Sequence, residues 1–258
     1  RVNYRNHRKI VVIDGNVGFV GGFNIGREYI SKDPGFGYWR DTHLRITGEA
    51  VMSLQIRFAL DWNYATGENL FKNEAYFRTD LKKKTDVRRD KERPAWPDPE
   101  LEGSQVGMQI IASGPDTTEP DIRNNYLELF HKAKHHIYIQ TPYFVPDDAI
   151  FSALKMAALS GVDVRLMIPC KPDHPFVYRA TCSYAGELLD YGAKVYIYTN
   201  GFLHSKGIMV DGRVCCYGTA NMDIRSFELN FEVNATIYDE AVTAELEQAF
   251  MNDLPHCR

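Results

Sequence analysis

His7-Arg8-Lys9-Ile10-Val11-Val12-Ile13-Asp14 and His204-Ser205-Lys206-Gly207-Ile208-Met209-Val210-Asp211 are one phrase written twice. Each reads histidine, any residue, lysine, four residues, aspartate. The likeness runs on past the aspartate, to Gly21-Gly22-Phe23-Asn24 in one copy and Gly218-Thr219-Ala220-Asn221 in the other, with matched positions 197 apart throughout. The spacing then drops to 191, where the stretch from Asp41 to Val51 aligns without gaps on the stretch from Glu232 to Val242. A Gly/Pro-rich turn around Lys32-Asp33-Pro34-Gly35-Phe36-Gly37 in the first copy accounts for the difference. Duplication at this level implies two homologous α/β half-units, each presenting one histidine.

The 258-residue chain is long enough for one large or two small domains, each with its own core. A hydrophobic share of 44% and a charged share of 25% are ordinary for a globular protein. The net charge of −4 speaks against a dedicated nucleic-acid binder, which concentrates positive charge, and leaves room for a local basic patch. Five cysteines without C-x-x-C or histidine spacing read as free thiols in a reducing compartment. No apolar run reaches the roughly 18 residues of a membrane span, and there is no signal peptide. The chain opens on Arg1, close before His7, whereas His204 has a long lead-in of its own. The expectation is a fragment with a truncated amino-terminal half and a cut after Pro255-His256-Cys257-Arg258.

The alternation from residue 7 to 13 predicts a strand with His7, Lys9, Val11 and Ile13 on one face. Asp14-Gly15-Asn16 is a turn, residues 17–20 return as a strand, and Gly21-Gly22 brings Asn24 toward the face of His7. Residues 39–46 predict another strand and residues 49–64 a helix with one buried face. Residues 1–66 therefore form part of the first half. Residues 67–105 are a linker, with Lys82, Lys83, Lys84, Arg88, Arg89, Lys91 and Arg93 followed by prolines. Such a stretch is a solvated connector or a surface for anionic lipid, where each basic residue contributes about 1 kcal/mol. Residues 106–258 alternate strands (107–112, 136–141, 162–168, 194–198) with helices (119–134, 149–160, 176–190, 240–252), which predicts a largely parallel sheet covered on both faces.

A fold repeat explains recurring apolar positions but gives no reason to repeat a histidine and a lysine on one strand face. The chemistry that needs both is phosphoryl transfer. Lysine supplies fixed positive charge, and the amides of Asn24 and Asn221 supply donors for phosphate oxygens. One histidine attacks phosphorus while the other protonates the leaving oxygen. His7 is favoured slightly as the nucleophile and His204 as the acid and base. Two lysines offset the transition-state charge, so no metal or cofactor is called for.

These residues resemble the phospholipase D superfamily, whose doubled motif is this phrase, and the likeness is greatest to bacterial cardiolipin synthases. Nearly the whole chain takes part. The matching stretches are Asn6 to Asp14, Gly21 to Asn24, Trp39 to Arg45, Thr141-Pro142-Tyr143-Phe144-Val145-Pro146-Asp147, Gly201 to Lys206 and Gly218 to Phe227. The resemblance implies two phospholipase D-like α/β/α half-units with the site on their pseudo-twofold axis. It names His7, Lys9, Asp14, His204, Lys206 and Asp211 as the motif set. Asp14 and Asp211 have the wrong strand parity and read as turn residues. Asp41 and Glu232 are better orienting carboxylates for imidazole Nδ1–H. Tyr143, Phe144, Lys171 and His174 follow strand ends, where open sheets place ligand loops, and are candidates for a lipid pocket.

The implied function is phosphatidyl transfer between two phosphatidylglycerol molecules, giving cardiolipin and glycerol through a phosphatidyl-histidine. The implied setting is the cytoplasmic face of a bacterial membrane, on anionic lipid, with an anchor upstream and no nucleic acid. Water or serine as acceptor would instead make a phospholipase D or a phosphatidylserine synthase. The alternative of another class is a catalytically silent lipid-binding module.

Overall fold

The two phrases fold as two hairpins. In the computed structural model, which describes residues 3–77, 106–171 and 173–258, the first unit consists of β1 (Arg5–Asn6), β2 (Ile10–Ile13), β3 (Val17–Gly21), β4 (Trp39–Arg40), β5 (His43–Thr47) and α1 (Ala50–Thr66). β2, β3 and β5 make an antiparallel sheet. The hairpin turns through Asp14 and Gly15 at φ 52° and 68°, a left-handed conformation that glycine and aspartate tolerate. Asp211 and Gly212 repeat it at 55° and 66°.

Two expected strands are interrupted, both beside candidate site residues. Residues 7–9 leave the ladder before β2 begins. The 39–46 run splits after Arg40, and next to the break the Thr42 N–H donates to its neighbour's side chain, Asp41 Oδ1, at 2.8 Å rather than to a strand. The basic stretch expected between the halves lies, for residues 78–105, outside the described residues.

The second unit contains β6 (Gly107–Ser113), α2 (Asp121–Lys132), β7 (His136–Gln140), β8 (Phe144–Val145), α3 (Asp148–Leu159), β9 (Asp163–Pro169), α4 (Pro175–Leu189) and β10 (Lys194–Tyr198). It continues with β11 (Phe202–Leu203), β12 (Gly207–Val210), β13 (Val214–Gly218), β14 (Met222–Asp223), α5 (Ile224–Glu228), β15 (Asn230–Tyr238) and α6 (Glu240–Asp253). The sheet runs β1-β15-β13-β12-β7-β9-β10, with β6 also on β15. It is mixed rather than largely parallel, because the hairpin β12–β13 inserts antiparallel strands beside the parallel trio β7, β9 and β10. Helices α2, α3 and α4 cover one face around Ile139, Leu166 and Ile208, and α6 covers the other through Phe250 against Tyr138 and Met209. Asp147 caps α3 by accepting from Ile150 N at 2.9 Å.

What joins the units is an exchange of short strands. β1 pairs in parallel with the start of β15, Arg5 opposite Asn230, and β11 pairs in parallel with β4, Phe202 opposite Trp39. In the repeat, Arg5 corresponds to Phe202 and Trp39 to Asn230, so each bridge is the twofold image of the other. His7 N donates to Phe231 O at 3.0 Å and His204 N donates to Arg40 O at 2.8 Å. Behind these bridges Val20, Ile46, Val51 and Leu54 share a buried core with Val233 and Ala235.

The units differ at one edge. β12 is flanked by β13 and β7, whereas its counterpart β2 pairs only with β3 among the described residues. Val11 is 53% exposed where the matching Ile208 is 1% exposed. A groove of about 880 Å³ there is lined by Val11, Phe58, Trp62, Leu70 and Tyr76 among others.

Candidate active site

Because the strand before each histidine crosses to the other unit, each imidazole arrives beside the other unit's carboxylate. His7 Nδ1 lies 2.8 Å from Glu232 Oε1, and His204 Nδ1 lies 2.8 Å from Asp41 Oδ2. Both carboxylates have fully buried side chains. Counting residues along the chain relates each carboxylate to the histidine of its own repeat, and the fold pairs them the other way. A carboxylate on Nδ1–H leaves Nε2 as the lone-pair nitrogen, or as the proton carrier once the ring is charged.

The carboxylates are themselves held. Glu232 Oε2 accepts from Thr219 Oγ1 at 2.5 Å and Glu232 Oε1 from Asn230 Nδ2 at 3.1 Å. Asp41 Oδ1 accepts from Thr42 N at 2.8 Å, and Asp41 Oδ2 from Trp39 Nε1 at 3.4 Å. In the repeat Asn230 matches Trp39, so each carboxylate has a donor two residues before it. Thr219 matches Gly22, where a Cβ would stand 2.3 Å from Asp41 Oδ1. One unit supplies a hydroxyl at that point and the other makes room. Burial works to raise the Asp41 carboxyl, but the His204 hydrogen bond and the Lys206 charge outweigh it and hold the group below its ordinary range.

Lys206 is buried, and its Nζ donates to His204 O at 2.7 Å while lying 3.1 Å from both ring nitrogens. Lys9 Nζ makes the matching contact to His7 O at 2.6 Å. Burial, joined by the Lys206 charge, pushes Lys9 down to about 7, and burial pushes Lys206 down to about 8. Burial and Lys206 also bring His204 down to about 4, with Lys9 adding to the effect. Each phrase therefore feels the charge of the other. The His204 ring is further fixed by Trp39, at 4.9 Å between centroids, and by the edge of Tyr29 at 5.7 Å.

Asn221, three residues past β13, has Oδ1 buried and without a hydrogen-bond partner among the described residues, its backbone N–H going to Ser226 Oγ at 3.1 Å. An unpaired buried carbonyl oxygen is costly and calls for a donor. Asn24 is exposed, and its Nδ2 donates to Tyr29 OH at 2.7 Å.

Asp14 and Asp211, named with the motif set by resemblance, sit at the turns that their strand parity predicted. Both are left-handed turn residues, and the Asp211 carboxylate accepts from the backbone N–H groups of Lys134, His135 and His136 at 2.8 Å each. Phe144 is no pocket wall; it is fully buried in the core with Ile139 and Ile150. Tyr143 is half-buried, His174 is exposed before α4 with its ring 6.3 Å from that of Tyr143, and Lys171 reaches Gly35 O at 3.4 Å. Sequence reading passed over Thr219, Asn230, Trp39 and Tyr29. Carrying the alignment of the two repeats two residues back from Asp41 and Glu232 sets Trp39 against Asn230, and that was the available signal.

The family described as cardiolipin synthase, PLD-like domain, matches residues 126–254, half of the chain. The chain belongs to this phospholipase D-like family. A cardiolipin synthase of Oceanobacillus iheyensis is 50% identical over 98% of this chain and 49% of its own length. One from Staphylococcus aureus is 53% identical over 98% of this chain and 48% of its own. The chain thus spans about half the length of the curated relatives it matches. Among solved structures, phosphatidylserine synthase from Haemophilus influenzae covers the whole chain with a TM-score of 0.66 at 17% identity, 63% of that protein being matched. The phospholipase D family member Nuc from Salmonella typhimurium covers 60% of this chain and 97% of its own, with a TM-score of 0.52 at 21% identity. Those two likenesses concern the fold.

Proposed function

We propose that these residues carry out phosphatidyl transfer between two phosphatidylglycerol molecules, yielding cardiolipin and glycerol. The observation that carries the reading is the crossed pair of imidazole–carboxylate contacts around two buried lysines, in a chain whose relatives at 50% and 53% identity are named cardiolipin synthases. Lysines and Asn221 bind the phosphodiester oxygens and offset the charge that grows on them in the transition state. Nε2 of one histidine attacks phosphorus. The N–P bond forms as the P–O bond to glycerol breaks, and the other histidine delivers its Nε2 proton to the departing oxygen. In the second step a hydroxyl of another phosphatidylglycerol attacks the phosphatidyl-histidine. It yields its proton to the second histidine, and the N–P bond breaks.

We infer that His204 makes the attack, in place of the slight preference for His7 read from sequence, and its surroundings support this. Held at about 4 by burial and Lys206, the His204 ring is neutral at physiological pH and has its lone pair available. Its orientation is fixed by Asp41, Trp39 and Tyr29. The His7 side chain is 28% exposed and can exchange a proton with solvent. The substrate is a membrane lipid, so the site works at an anionic membrane surface; no described helix is long and apolar enough to cross a membrane.

The test is lipid chromatography of the intact protein acting on phosphatidylglycerol vesicles. Cardiolipin with glycerol supports the reading, phosphatidic acid alone indicates hydrolysis, and no turnover indicates a silent lipid-binding module. A covalent lipid adduct that persists in His7→Ala and vanishes in His204→Ala supports the assignment; the converse reverses it.

A further inference from the structure

Tyr143 follows β7 and Asp173 follows β9, two adjacent parallel strands, so both residues stand on the rim where those strands end. Lys206 lies on the same rim. Gln140, the last residue of β7, is opposite Gly207, and the chain beyond it passes beside Lys206. Thr141 Oγ1 donates to Tyr143 O at 2.9 Å and accepts from Met222 N at 3.1 Å, tying the turn to the residue after Asn221. Tyr143 OH donates to Asp173 Oδ2, and Asp173 Oδ1 accepts from His174 N at 2.8 Å. The Asp173 charge is felt by Lys206 and by Tyr29 of the first unit. Burial and the Asp173 contact push the Tyr143 phenol well up, so it keeps its proton as a donor.

A carboxylate in this place needs an account. The other groups around the histidines are lysines and amides suited to a phosphate anion, and a negative charge beside them weakens anion binding. Asp41 and Glu232 are engaged by imidazoles, and Asp223 caps α5 by accepting from Ser226 N at 2.6 Å. Asp173 meets a phenol and a backbone amide but no cation among the described residues. A carboxylate accepts hydrogen bonds from neighbouring hydroxyls, which a glycerol headgroup carries and which water or a simple alcohol cannot present as a pair.

We propose that the Tyr143–Asp173 pair binds the free hydroxyls of the polyol that accepts the phosphatidyl group, selecting a glycerol headgroup over water and over monohydric alcohols. The proposal rests on the transfer reading given above. It is tested by supplying the intact protein with a short-chain phosphatidyl-p-nitrophenol donor, whose leaving group carries no further hydroxyl, and with glycerol and 1-propanol as competing acceptors. Asp173→Asn and Tyr143→Phe are expected to lower the ratio of glycerol to propanol transfer about tenfold, the scale of losing a specific hydroxyl contact. Formation of the phosphatidyl-histidine from that donor, whose leaving group makes no polyol contact, should stay within about twofold of the parent rate. A pair that only braces its loop would depress both acceptors together. An unchanged ratio in both variants overturns the proposal while leaving transfer intact. Absence of transfer to either alcohol by the parent protein removes the transfer reading, and this proposal with it.

Discussion

Replacing Asp41 by asparagine probes the crossed pairing directly. Oδ1 can still accept from Thr42 N, so the amide nitrogen takes the Oδ2 position, 2.8 Å from His204 Nδ1. An amide there donates. His204 Nδ1 must then accept, its proton moves to Nε2, and the lone pair proposed to attack phosphorus is lost. The same exchange beneath a serine protease histidine costs about 10⁴ in kcat. A general-base role alone is worth about 10² to 10⁴. Turnover in Asp41→Asn should therefore fall by about 10² to 10⁴, or roughly 3–5 kcal/mol of barrier. The fold should be kept, since the side chain is isosteric. Turnover is read by cardiolipin formation and the ring by nuclear magnetic resonance titration of the histidines. Asp41 raises the His204 pKa against burial and Lys206, so its loss should drive that titration below about 4. A His204 titration left unmoved would refute the crossed arrangement.

Gly22→Ala places a methyl 2.3 Å from Asp41 Oδ1 and should displace the carboxylate from His204. Activity then drops with that of Asp41→Asn while circular dichroism stays native, and full activity would contradict the packing. Thr219→Val removes the hydroxyl 2.5 Å from Glu232 Oε2, a hydrogen bond to a buried charge. It should cost about 1.5–3 kcal/mol in urea unfolding, and a loss under about 0.5 would show that Glu232 is held by other donors. Lys9 at about 7 and Lys206 at about 8 lose their charge as pH rises through those values. Affinity for dimethyl phosphate, which stays singly charged, should fall between pH 6 and 9, by up to about tenfold per pH unit for each lysine passed. Calorimetry showing flat affinity would remove the lysines from phosphate binding.

Much of the fold was legible because duplication leaves two independent copies of every signal. His7 and His204, Lys9 and Lys206, and Asn24 and Asn221 stood out by recurring where core packing has no use for them. The helices 149–160 and 176–190 were placed to within a residue of α3 and α4 by their caps and stops. The crossing was hidden, since spacing along a chain says nothing about which unit a carboxylate faces. That depends on β1 and β11 leaving their own sheets, and two-residue strands have no periodicity to read. Phe144 misled for a related reason. Its neighbour Tyr143 lines the rim, but β8 turns the next side chain inward beneath Thr181, whose Oγ1 accepts from Phe144 N at 3.1 Å. Asp173 carries no pattern of its own, and only the meeting of β7 and β9 makes it visible.

The exchanged strands also order events in time. A ribosome releases His7 with 225 residues still to be added before Glu232 exists, and it releases Asp41 long before His204. Throughout synthesis His7 lacks the carboxylate that sets its tautomer, and the cluster around Glu232 that receives it has not folded. Neither imidazole has its carboxylate partner in place until both units have been made. Any motion that later parts the units disarms both imidazoles at once.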